Sequence, residues 1–393
     1  MKVISTERVP IKLWLEDIEQ GALDQALNLA NLPFIFKHLA IMPDSHQGYG
    51  MPIGGVLATE DVVIPNAVGV DIGCGMCALK TNIKEISTGN LQSIVDKIKK
   101  VIPVGFSHQQ KEQDESLMPS LELSEKYELN IVKSQYQSAL KQLGTLGGGN
   151  HFIEIQKGSD GFVWIMIHSG SRNLGKQVAD YYNKRAIVLN ERWFSSVDKT
   201  KQLAFLPLDS SDGDEYMKEM AYCVDFALAN RRLMMDRILD CFHDVLQQGK
   251  TVAYSTDMIN IAHNYARYEH HFGHNTIVHR KGATSAREGE IGIIPGSMGT
   301  KSYIVEGLGN PESFMSCSHG AGRKMGRKQA QRELNLEHEI EIMESQGIIH
   351  GIKTVDNLDE ACSAYKDIDV VMENQKDLVK ILVELKPLAV IKG

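Results

Sequence analysis

The chain has 393 residues, of which 42% are hydrophobic and 23% are charged, and its formal net charge is −8. No apolar run approaches the roughly 18 residues of a membrane helix, which excludes a membrane-spanning segment. The acidic balance argues against a protein that coats nucleic acid nonspecifically, because such binding depends on many Lys and Arg side chains that neutralise phosphates.

The N-terminus and the cysteines bear on the cellular compartment. The first eight residues become charged too soon for the apolar part of a signal peptide, so we expect a cytoplasmic protein. Its six cysteines are then expected to be reduced. Cys74 and Cys77 form the only Cys-x-x-Cys pair in the sequence, and without a second pair we do not expect a four-thiolate zinc site.

The first half of the chain predicts helices and short strands around polar, glycine-rich turns. Two of the predicted strands end beside His151 and His168, and strand ends commonly carry functional side chains. The predicted helices are 22–32, 91–101 and 122–143, the predicted strands are 34–42, 61–64, 77–80, 152–155 and 162–167, and a loop is predicted over 43–55.

The second half predicts one long helix at about 213–249, because apolar residues recur there every three, four or seven positions. Its methionines are interpreted as core residues. Short strands are predicted over 276–279, 291–294 and 303–305, a basic helix after Gly320, and a further helix over 373–385. Segregated helices and short strands predict an α+β fold, with mixed short-strand sheets surrounded by helices. Because no linker or repeat divides the chain, we expect one large domain, 1–393.

Asp71 and Cys74 stand three positions apart across Gly73, so a tight turn at the glycine would bring both side chains to one point. Thiolate, carboxylate and imidazole ligands favour zinc or another first-row ion such as Mn, Fe or Co over Mg or Ca. The alternative is a core cysteine, a capping aspartate and structural histidines. Three histidines, each beside Asn, Ser or Gly, extend the candidate metal ligands: His151, His168 and His263.

His319 precedes a glycine loop, Arg323 and a predicted helix start. Backbone N–H groups and a guanidinium bind anions, so an imidazole placed there could attack phosphorus or donate a proton. The surrounding segment, 315–332, contains five basic residues and no acidic one, which makes it either a phosphate track or a solvated helix face. The nearby segment 295–302 fails the P-loop spacing because Thr300 separates Gly299 from Lys301, although its amides could still bind phosphate.

Taken together, these motifs closely resemble those of the RtcB-type RNA ligases, the GTP- and manganese-dependent enzymes of tRNA splicing and RNA repair. The resemblance covers nearly the whole chain. It rests on nine segments in one order, 42–48, 69–76, 149–154, 168–172, 263–265, 295–299, 318–323, 364–367 and 390–393.

The resemblance implies a role for each matching residue around a central cleft for metal and nucleotide. Cys74 would bridge two Mn²⁺ ions, with Asp71 and His151 completing one site and His168 and His263 the other. His319 would become guanylylated. The residues that would hold the guanylate are Asn150, Phe152, Glu154, Asn264, Pro295, Gly296, Ser297, Met298, Ser302, Gly320, Ala321, Gly322, Arg323, Tyr365 and Lys392.

The implied reaction begins with attack of His319 on the α-phosphorus of GTP, which releases pyrophosphate. GMP then passes to an RNA 3′-phosphate, and a 5′-hydroxyl displaces it to join the strands. A 2′,3′-cyclic phosphate end would first be opened by hydrolysis. Asp44, in the early glycine-rich loop, is our candidate to orient His319 through its second ring nitrogen.

Two other functions fit parts of the pattern. A binuclear metallophosphoesterase or nuclease would use the same ligands to activate water, but it would leave His319 and Lys392 without a role. A non-catalytic RNA-binding protein with a structural metal agrees poorly with the net acidity. The sequence does not determine the physiological RNA or any need for an activating protein such as archease. We expect a monomer with no membrane association.

The sequence departs from the common pattern at two positions. Gly326 stands where many relatives have serine, and Ser45 replaces a common valine. Because glycine costs roughly 1 kcal/mol inside a helix, we expect a looser helix after His319.

Overall fold

The computed structural model describes residues 1–121, 129–246 and 257–393. In this part of the chain every helix is too short or too polar to cross a membrane. The helices are α1 Gln20–Ala30, α2 Pro65–Val68, α3 Thr88–Val101, α4 Asn130–Gln142, α5 Arg172–Arg192, α6 Ser211–Leu246, α7 Arg327–Glu333, α8 Leu336–Glu344 and α9 Ile368–Asn374.

The strands are mostly short and lie in two large sheets and two small ones. They are β1 Lys2–Ile4, β2 Ile11–Leu13, β3 Ile35–His46, β4 Ile53–Thr59, β5 Val62–Val63, β6 Gly75–Lys80, β7 Phe152–Gly158, β8 Val163–Ser169, β9 Leu206–Pro207, β10 Ile259–Ala262, β11 Asn264–His271, β12 His274–Lys281, β13 Ala283–Ser285, β14 Ile291–Ile294, β15 Ser302–Gly307, β16 Ser316–Ser318 and β17 Val379–Lys392.

The first large sheet has seven antiparallel strands in the order β10-β6-β8-β7-β17-β15-β14. Its centre joins distant parts of the sequence, because the C-terminal strand β17 pairs with β7 on one side and β15 on the other. The register places His168 of β8 opposite Phe152 of β7 and beside Met76 of β6. The chain segments of three predicted metal ligands therefore meet at one end of this sheet.

The second large sheet has six strands in the order β1-β2-β3-β4-β12-β11. Its strands are antiparallel neighbours except for the parallel pair β2 and β3. The pairing of β3 with β4 is irregular between Ile41 and His46, where the register shifts. Strands β13 and β16 form a separate two-stranded antiparallel sheet. Strand β16 ends at Ser318, immediately before His319.

Helix α6 links the hydrophobic clusters of the core. Its N-terminal half packs with α4 and α5 through Tyr216, Met220 and Phe226. Its C-terminal half packs with α3 and the seven-stranded sheet through Met235 and Phe242. The predicted long helix is thus present and its methionines are core residues, while the last predicted positions, 247–249, lie outside the described residues.

Several element predictions are wrong, and tertiary pairing explains them. Residues 379–385 were expected to be helical, but they belong to β17, because their backbone pairs with the distant strand β15. The loop predicted over 43–55 is strand at both ends, so Asp44 lies on β3 and not in a loop. The sequence interpretation also missed α5 and β11.

The segment after His319 also differs from expectation. The basic helix begins only at Arg327 and has seven residues, so residues 320–326 form a loop. Gly326 is the N-cap of that helix, with φ −65° and ψ 153°, and it does not lie in the helix interior. The expected loosening of the helix by glycine is therefore wrong, because a cap position carries no interior penalty. Of the predicted helix 122–143, residues 130–142 are α4 and 122–128 lie outside the described residues.

Candidate functional site

One cavity of about 980 Å³ collects the predicted functional residues. Its wall includes residues from both large sheets, from the loop that precedes β6 and from the loops that follow β14 and β16. Every site residue predicted from the sequence lines this cavity except Asp44, His151 and Ser302, which are buried just behind its wall. Sequence motifs that are hundreds of positions apart therefore share one surface.

Five predicted metal ligands form a group that we call the Cys/His cluster: Asp71, Cys74, His151, His168 and His263. Each of them stands at a turn or at the end of a strand. Asp71 and Cys74 flank Gly73, whose φ of +73° permits the turn, and the Cys74 amide donates to the Asp71 carbonyl (3.1 Å). The His263 amide donates in turn to the Cys74 carbonyl (2.8 Å), which fixes the two segments side by side.

Within the Cys/His cluster the donor atoms face one another. Cys74 Sγ lies 3.4 Å from His151 Nε2 and 3.2 Å from His168 Nε2. His151 Nε2 is 3.1 Å from Asp71 Oδ2, and His168 Nε2 is 3.4 Å from His263 Nε2. Among the described residues, Cys74, His151 and His168 are the one set of three or more ligand-type side chains whose donor atoms all lie within 4.8 Å of each other.

The electrostatics of the Cys/His cluster fit a metal centre. Burial lowers the pKa values of His168 and His263 well below the usual range, so both rings are neutral and can offer a lone pair. His168 Nδ1 donates to the Asn150 carbonyl (3.0 Å), which leaves Nε2 as the ligand atom. Burial raises the pKa of the Cys74 thiol, and a bound cation would reverse that shift by stabilising the thiolate.

His319 lies beside the Cys/His cluster and touches Asp44. Its ring centroid is 4.7 Å from that of His263, and its Nδ1 lies 2.6 Å from Asp44 Oδ2. The same carboxylate oxygen accepts the backbone N–H groups of His319 (3.2 Å) and Gly320 (3.3 Å). Burial opposes ionisation of Asp44, but His319 and Lys366 outweigh it, so the pKa of the Asp44 carboxyl is lowered. Asp44 is therefore a charged residue that holds both the ring and the backbone of His319.

The loop after His319 packs directly on the Asp44 strand. Gly322 has φ +75°, and a Cβ at this position would lie 2.1 Å from the Asp44 carbonyl oxygen. The Gly322 carbonyl accepts from the Lys366 amide (2.9 Å), while Lys366 Nζ donates to the carbonyls of Pro43 and Ser45. Glycine is required at position 322 by both its backbone angle and the closeness of β3.

The other predicted nucleotide-binding residues differ in what their polar groups contact. Ser302 does not reach the cavity, because its hydroxyl accepts from the amide of Gly296 (3.1 Å) and from Gln156 (3.2 Å). Asn264 donates to the Asp71 carbonyl (3.0 Å) and accepts from the Gly282 amide (2.8 Å), so it braces the Asp71 turn. Pro295, Gly296, Ser297 and Met298 line the cavity, and Gly320 packs beside Pro295, whose carbonyl oxygen would lie 3.3 Å from a Cβ at position 320.

Glu154 is a buried carboxyl on the cavity wall. It is 2% exposed, and Gln156 donates to its Oε2 (2.6 Å). Burial raises the pKa of Glu154 to about 8, even though Lys392 opposes the shift. The carboxyl is consequently protonated at neutral pH in the absence of a ligand.

A second part of the cavity, which we call the basic wall, consists of Arg323, Arg327, Glu360, Tyr365 and Lys392. Glu360 Oε1 is 3.1 Å from both Arg323 Nη1 and Arg327 Nε, and its Oε2 is 3.7 Å from Lys392 Nζ and accepts from the Tyr365 hydroxyl. Burial disfavours the Glu360 charge, but Lys392, Arg323 and Arg327 more than compensate and lower its pKa. Glu360 is thus a single buried anion between three cations.

Sequence reasoning missed Glu360 and Lys281. Glu360 had no signal beyond its position shortly before the Ala364–Asp367 motif. Lys281 is 6% exposed at the end of β12, and its Nζ donates to the carbonyls of Tyr49 (2.5 Å) and Asn66 (2.9 Å) in the cavity wall. Burial lowers the pKa of Lys281 to about 7.

Comparisons with known proteins agree with this site. The sequence model of one family, described as tRNA-splicing ligase RtcB, matches residues 25–393. The chain is 40% identical to the RNA-splicing ligase RtcB of Escherichia coli K12, over 100% of this chain and 99% of the relative. It is 34% identical to the tRNA-splicing ligase RtcB of Nanoarchaeum equitans, over 98% and 95% of the two chains.

A eukaryotic relative shows the same breadth of similarity. The RNA-splicing ligase RtcB homolog 1 of Entamoeba dispar is 34% identical over 94% of this chain and 81% of its own length. Matches of this extent cover the Cys/His cluster, His319 and the basic wall together. The chain belongs to the RtcB family.

Proposed function

We propose that this protein is an RNA ligase of RNA splicing or RNA repair, and that it works through a covalent histidine–GMP intermediate. Membership of the RtcB family supports RNA ligase activity. The observation that carries the mechanism is the position of His319, which is 15% exposed in its side chain, contacts a charged aspartate and stands next to the Cys/His cluster. The experiment described below tests whether this histidine accepts GMP.

His319 is arranged to act as a nucleophile. The Asp44 carboxylate lies at Nδ1, which favours the tautomer with its proton on Nδ1 and leaves the Nε2 lone pair for attack. In the proposed first step Nε2 bonds to the α-phosphorus of GTP, the bond between that phosphorus and the bridging oxygen breaks, and pyrophosphate leaves. Asp44 would stabilise the positive charge that the ring develops.

The Cys/His cluster would hold two Mn²⁺ ions. Its donor set of thiolate, imidazole and carboxylate fits a first-row divalent ion, and its buried rings are neutral. When bound, such ions would offset the charge of the triphosphate and of the leaving pyrophosphate. Cys74 would serve both ions, because its Sγ is close to ring nitrogens on two sides.

The guanylate would lie between the loop 295–298 and the glycines after His319, with its base near Phe152, Glu154 and Tyr365. Phe152 supplies an aromatic ring on the cavity wall, and Glu154 is a buried hydrogen-bonding group beside it. Guanine offers N–H donors, which an ionised Glu154 would accept. Lys392 and Arg323 would contact phosphate oxygens from the basic wall.

The RNA substrate would carry a 3′-phosphate or 2′,3′-cyclic phosphate on one end and a 5′-hydroxyl on the other. Four basic residues of the segment 323–328 line the cavity and could follow the RNA backbone: Arg323, Lys324, Arg327 and Lys328. The 3′-phosphate oxygen would attack the phosphorus of His319–GMP and free the histidine. The 5′-hydroxyl would then attack the activated phosphorus and release GMP. A cytoplasmic monomer, assisted or not by archease, remains our expectation.

The decisive experiment is to incubate the protein with GTP labelled in its α-phosphate, with and without Mn²⁺, and to measure acid-labile label on the denatured chain. We expect Mn²⁺-dependent labelling in the wild-type protein. His319→Ala should lower it by at least about 1,000-fold while retaining bound metal, whereas Cys74→Ala should lose both label and metal.

The alternative is a binuclear metallophosphoesterase, which would use the Cys/His cluster without His319. Release of phosphate from RNA ends in the absence of GTP, together with unlabelled protein, would favour that activity. Normal ligation of RNA by the His319→Ala variant would contradict the histidine–GMP mechanism directly.

A further inference from the structure

Two consecutive polar residues in the middle of α6, Asn230 and Arg231, are fully buried with 0% exposure. They stand on a helix whose neighbouring buried positions are apolar, and the proposed chemistry gives them no role. A buried guanidinium and a buried amide are costly unless every polar group has a partner. Their partners are the segments that carry the Cys/His cluster.

Arg231 donates hydrogen bonds to residues on either side of the Cys/His cluster. Its Nη1 donates to the carbonyl of Gly73 (3.0 Å), between Asp71 and Cys74, and to the carbonyl of Ser169 (2.8 Å), next to His168. Its Nε donates to Asn260 Oδ1 (2.7 Å), three residues before His263. One side chain therefore spans three of the ligand-bearing segments.

Asn230 reaches the remaining ligand segment. Its Oδ1 accepts from the amides of Gly144 (2.7 Å) and Thr145 (3.1 Å), where the chain enters the glycine run before His151. Its Nδ2 donates to the Thr145 carbonyl (3.1 Å) and to the Gly170 carbonyl (3.2 Å). The amide thus ties the approach to His151 to the residues that follow His168.

The charge of Arg231 also points to the cluster. Its three hydrogen bonds go to neutral oxygens, and its Nη2 has no partner among the described residues. A buried guanidinium in such surroundings needs a negative charge nearby. The Asp71 carboxylate supplies such a charge, and Cys74 would add a second one as a metal-bound thiolate.

We propose that Asn230 and Arg231 are positioning residues of the metal centre: α6 uses them to set the spacing between Cys74, His151, His168 and His263 and so determines metal affinity. This inference rests on the proposed metal site and deepens it. Partners behind metal ligands typically change metal affinity by about 10- to 100-fold when they are removed. The ligand side chains stay in place in such variants, but their geometry loosens.

The test is titration of the metal-free protein with Co²⁺, followed by the thiolate-to-cobalt charge-transfer absorption that Cys74 would produce. Arg231→Lys keeps the positive charge but has one nitrogen in place of the planar fork, in which Nη1 reaches both carbonyls and Nε reaches Asn260. We expect it to weaken Co²⁺ binding by about 10- to 100-fold and to shift the absorption band. Asn260→Ala changes a partly exposed residue and removes one of the three hydrogen bonds of Arg231. It should also weaken Co²⁺ binding, but less than Arg231→Lys does.

The matched control is Glu219→Gln, a conservative change at another fully buried polar residue of α6, whose carboxylate accepts from the Ile131 amide away from the cluster. It should leave Co²⁺ affinity unchanged. If Arg231→Lys fails to fold, Asn260→Ala decides the question. Wild-type affinity and an unshifted band in Asn260→Ala, or in a folded Arg231→Lys, would overturn the inference. A wild-type protein that produces no thiolate-to-cobalt band would instead refute the proposed metal centre itself.

Discussion

The Cys/His cluster and the basic wall share one cavity but are held in place by different physics. The cluster stands at strand ends of the seven-stranded sheet, and its segments are linked by backbone hydrogen bonds such as that from His263 to Cys74. The basic wall depends on charges, because Arg323, Arg327 and Lys392 meet at the one carboxylate of Glu360.

The difference follows from what each region would bind. A metal centre needs donor atoms fixed within tenths of an ångström, which a hydrogen-bonded backbone supplies. Phosphate recognition needs cations that can exchange a protein carboxylate for a phosphate group. The long basic side chains around Glu360 can do so. His319 stands between the regions and takes its backbone support from Asp44 on the six-stranded sheet.

The largest effect is expected at Gly322, in the loop after His319. This loop, like the Cys/His cluster, is held by a close backbone contact. Gly322→Ala would add a Cβ 2.1 Å from the Asp44 carbonyl oxygen at φ +75°. We expect the loop to move off β3 and GMP labelling of His319 to fall by at least about 100-fold. Labelling with α-labelled GTP measures this, and Co²⁺ binding should be retained because the cluster is held elsewhere.

The matched control is Gly326→Ala in the same loop. A Cβ at Gly326 meets nothing within 4 Å, and its φ of −65° suits any residue. Alanine is a poorer N-cap than glycine, so we expect a loss of stability of about 1 kcal/mol or less and nearly normal labelling. Equal defects in both variants would mean that the loop, and not its contact with Asp44, limits the reaction.

A second change isolates the electrostatic support of the basic wall. Glu360→Gln keeps the shape of the side chain but leaves three cations without their buried anion. Removing one partner of a buried ion pair costs about 3–5 kcal/mol, and because Arg327 is half-exposed we expect about 2–3 kcal/mol in the free energy of unfolding. Urea denaturation measures this quantity.

The exposed pair of Glu373 and Lys376 provides the comparison, with side-chain exposures of 69% and 73%. Glu373→Gln should change the free energy of unfolding by less than about 0.5 kcal/mol, because water screens the pair. If Glu360→Gln were equally mild, the basic wall would not depend on a central anion.

The smallest effect concerns pH. The Glu154 carboxyl, with a pKa of about 8, gains its charge as the pH rises from 7 to 9, and the charged form would accept the N–H groups of guanine in the proposed complex. We expect KM for GTP in the labelling reaction to fall by about 10-fold over this range. Because folding raises this pKa, the same carboxyl lowers stability as the pH rises from about 4.5 to about 8.

Glu154→Gln removes the titrating group at nearly constant shape. The variant should show a KM for GTP that no longer changes between pH 7 and pH 9 beyond any change common to both proteins. A pH dependence identical to that of the wild-type protein would exclude Glu154 as its origin.

The sequence by itself determined which residues are candidates for the site, and it determined the local elements with strong periodicity. Glycines within two positions of Asp71, Cys74, His151 and His319 marked turns with ligand-type side chains, and the spacing of apolar residues indicated α6. These features are local, because a turn or an amphipathic helix is specified by neighbouring residues.

Only the tertiary structure decided what depends on distant partners. Residues 379–385 are a strand because their backbone pairs with β15, and β7 pairs with the same strand from Leu385 onward; no local pattern reveals such partners. Glu360 matters because three cations from two distant segments converge on it, and Arg231 matters because it bonds to three ligand-bearing segments. The sequence indicates which side chains can react, whereas contacts between distant segments determine the distances between those side chains and their charges.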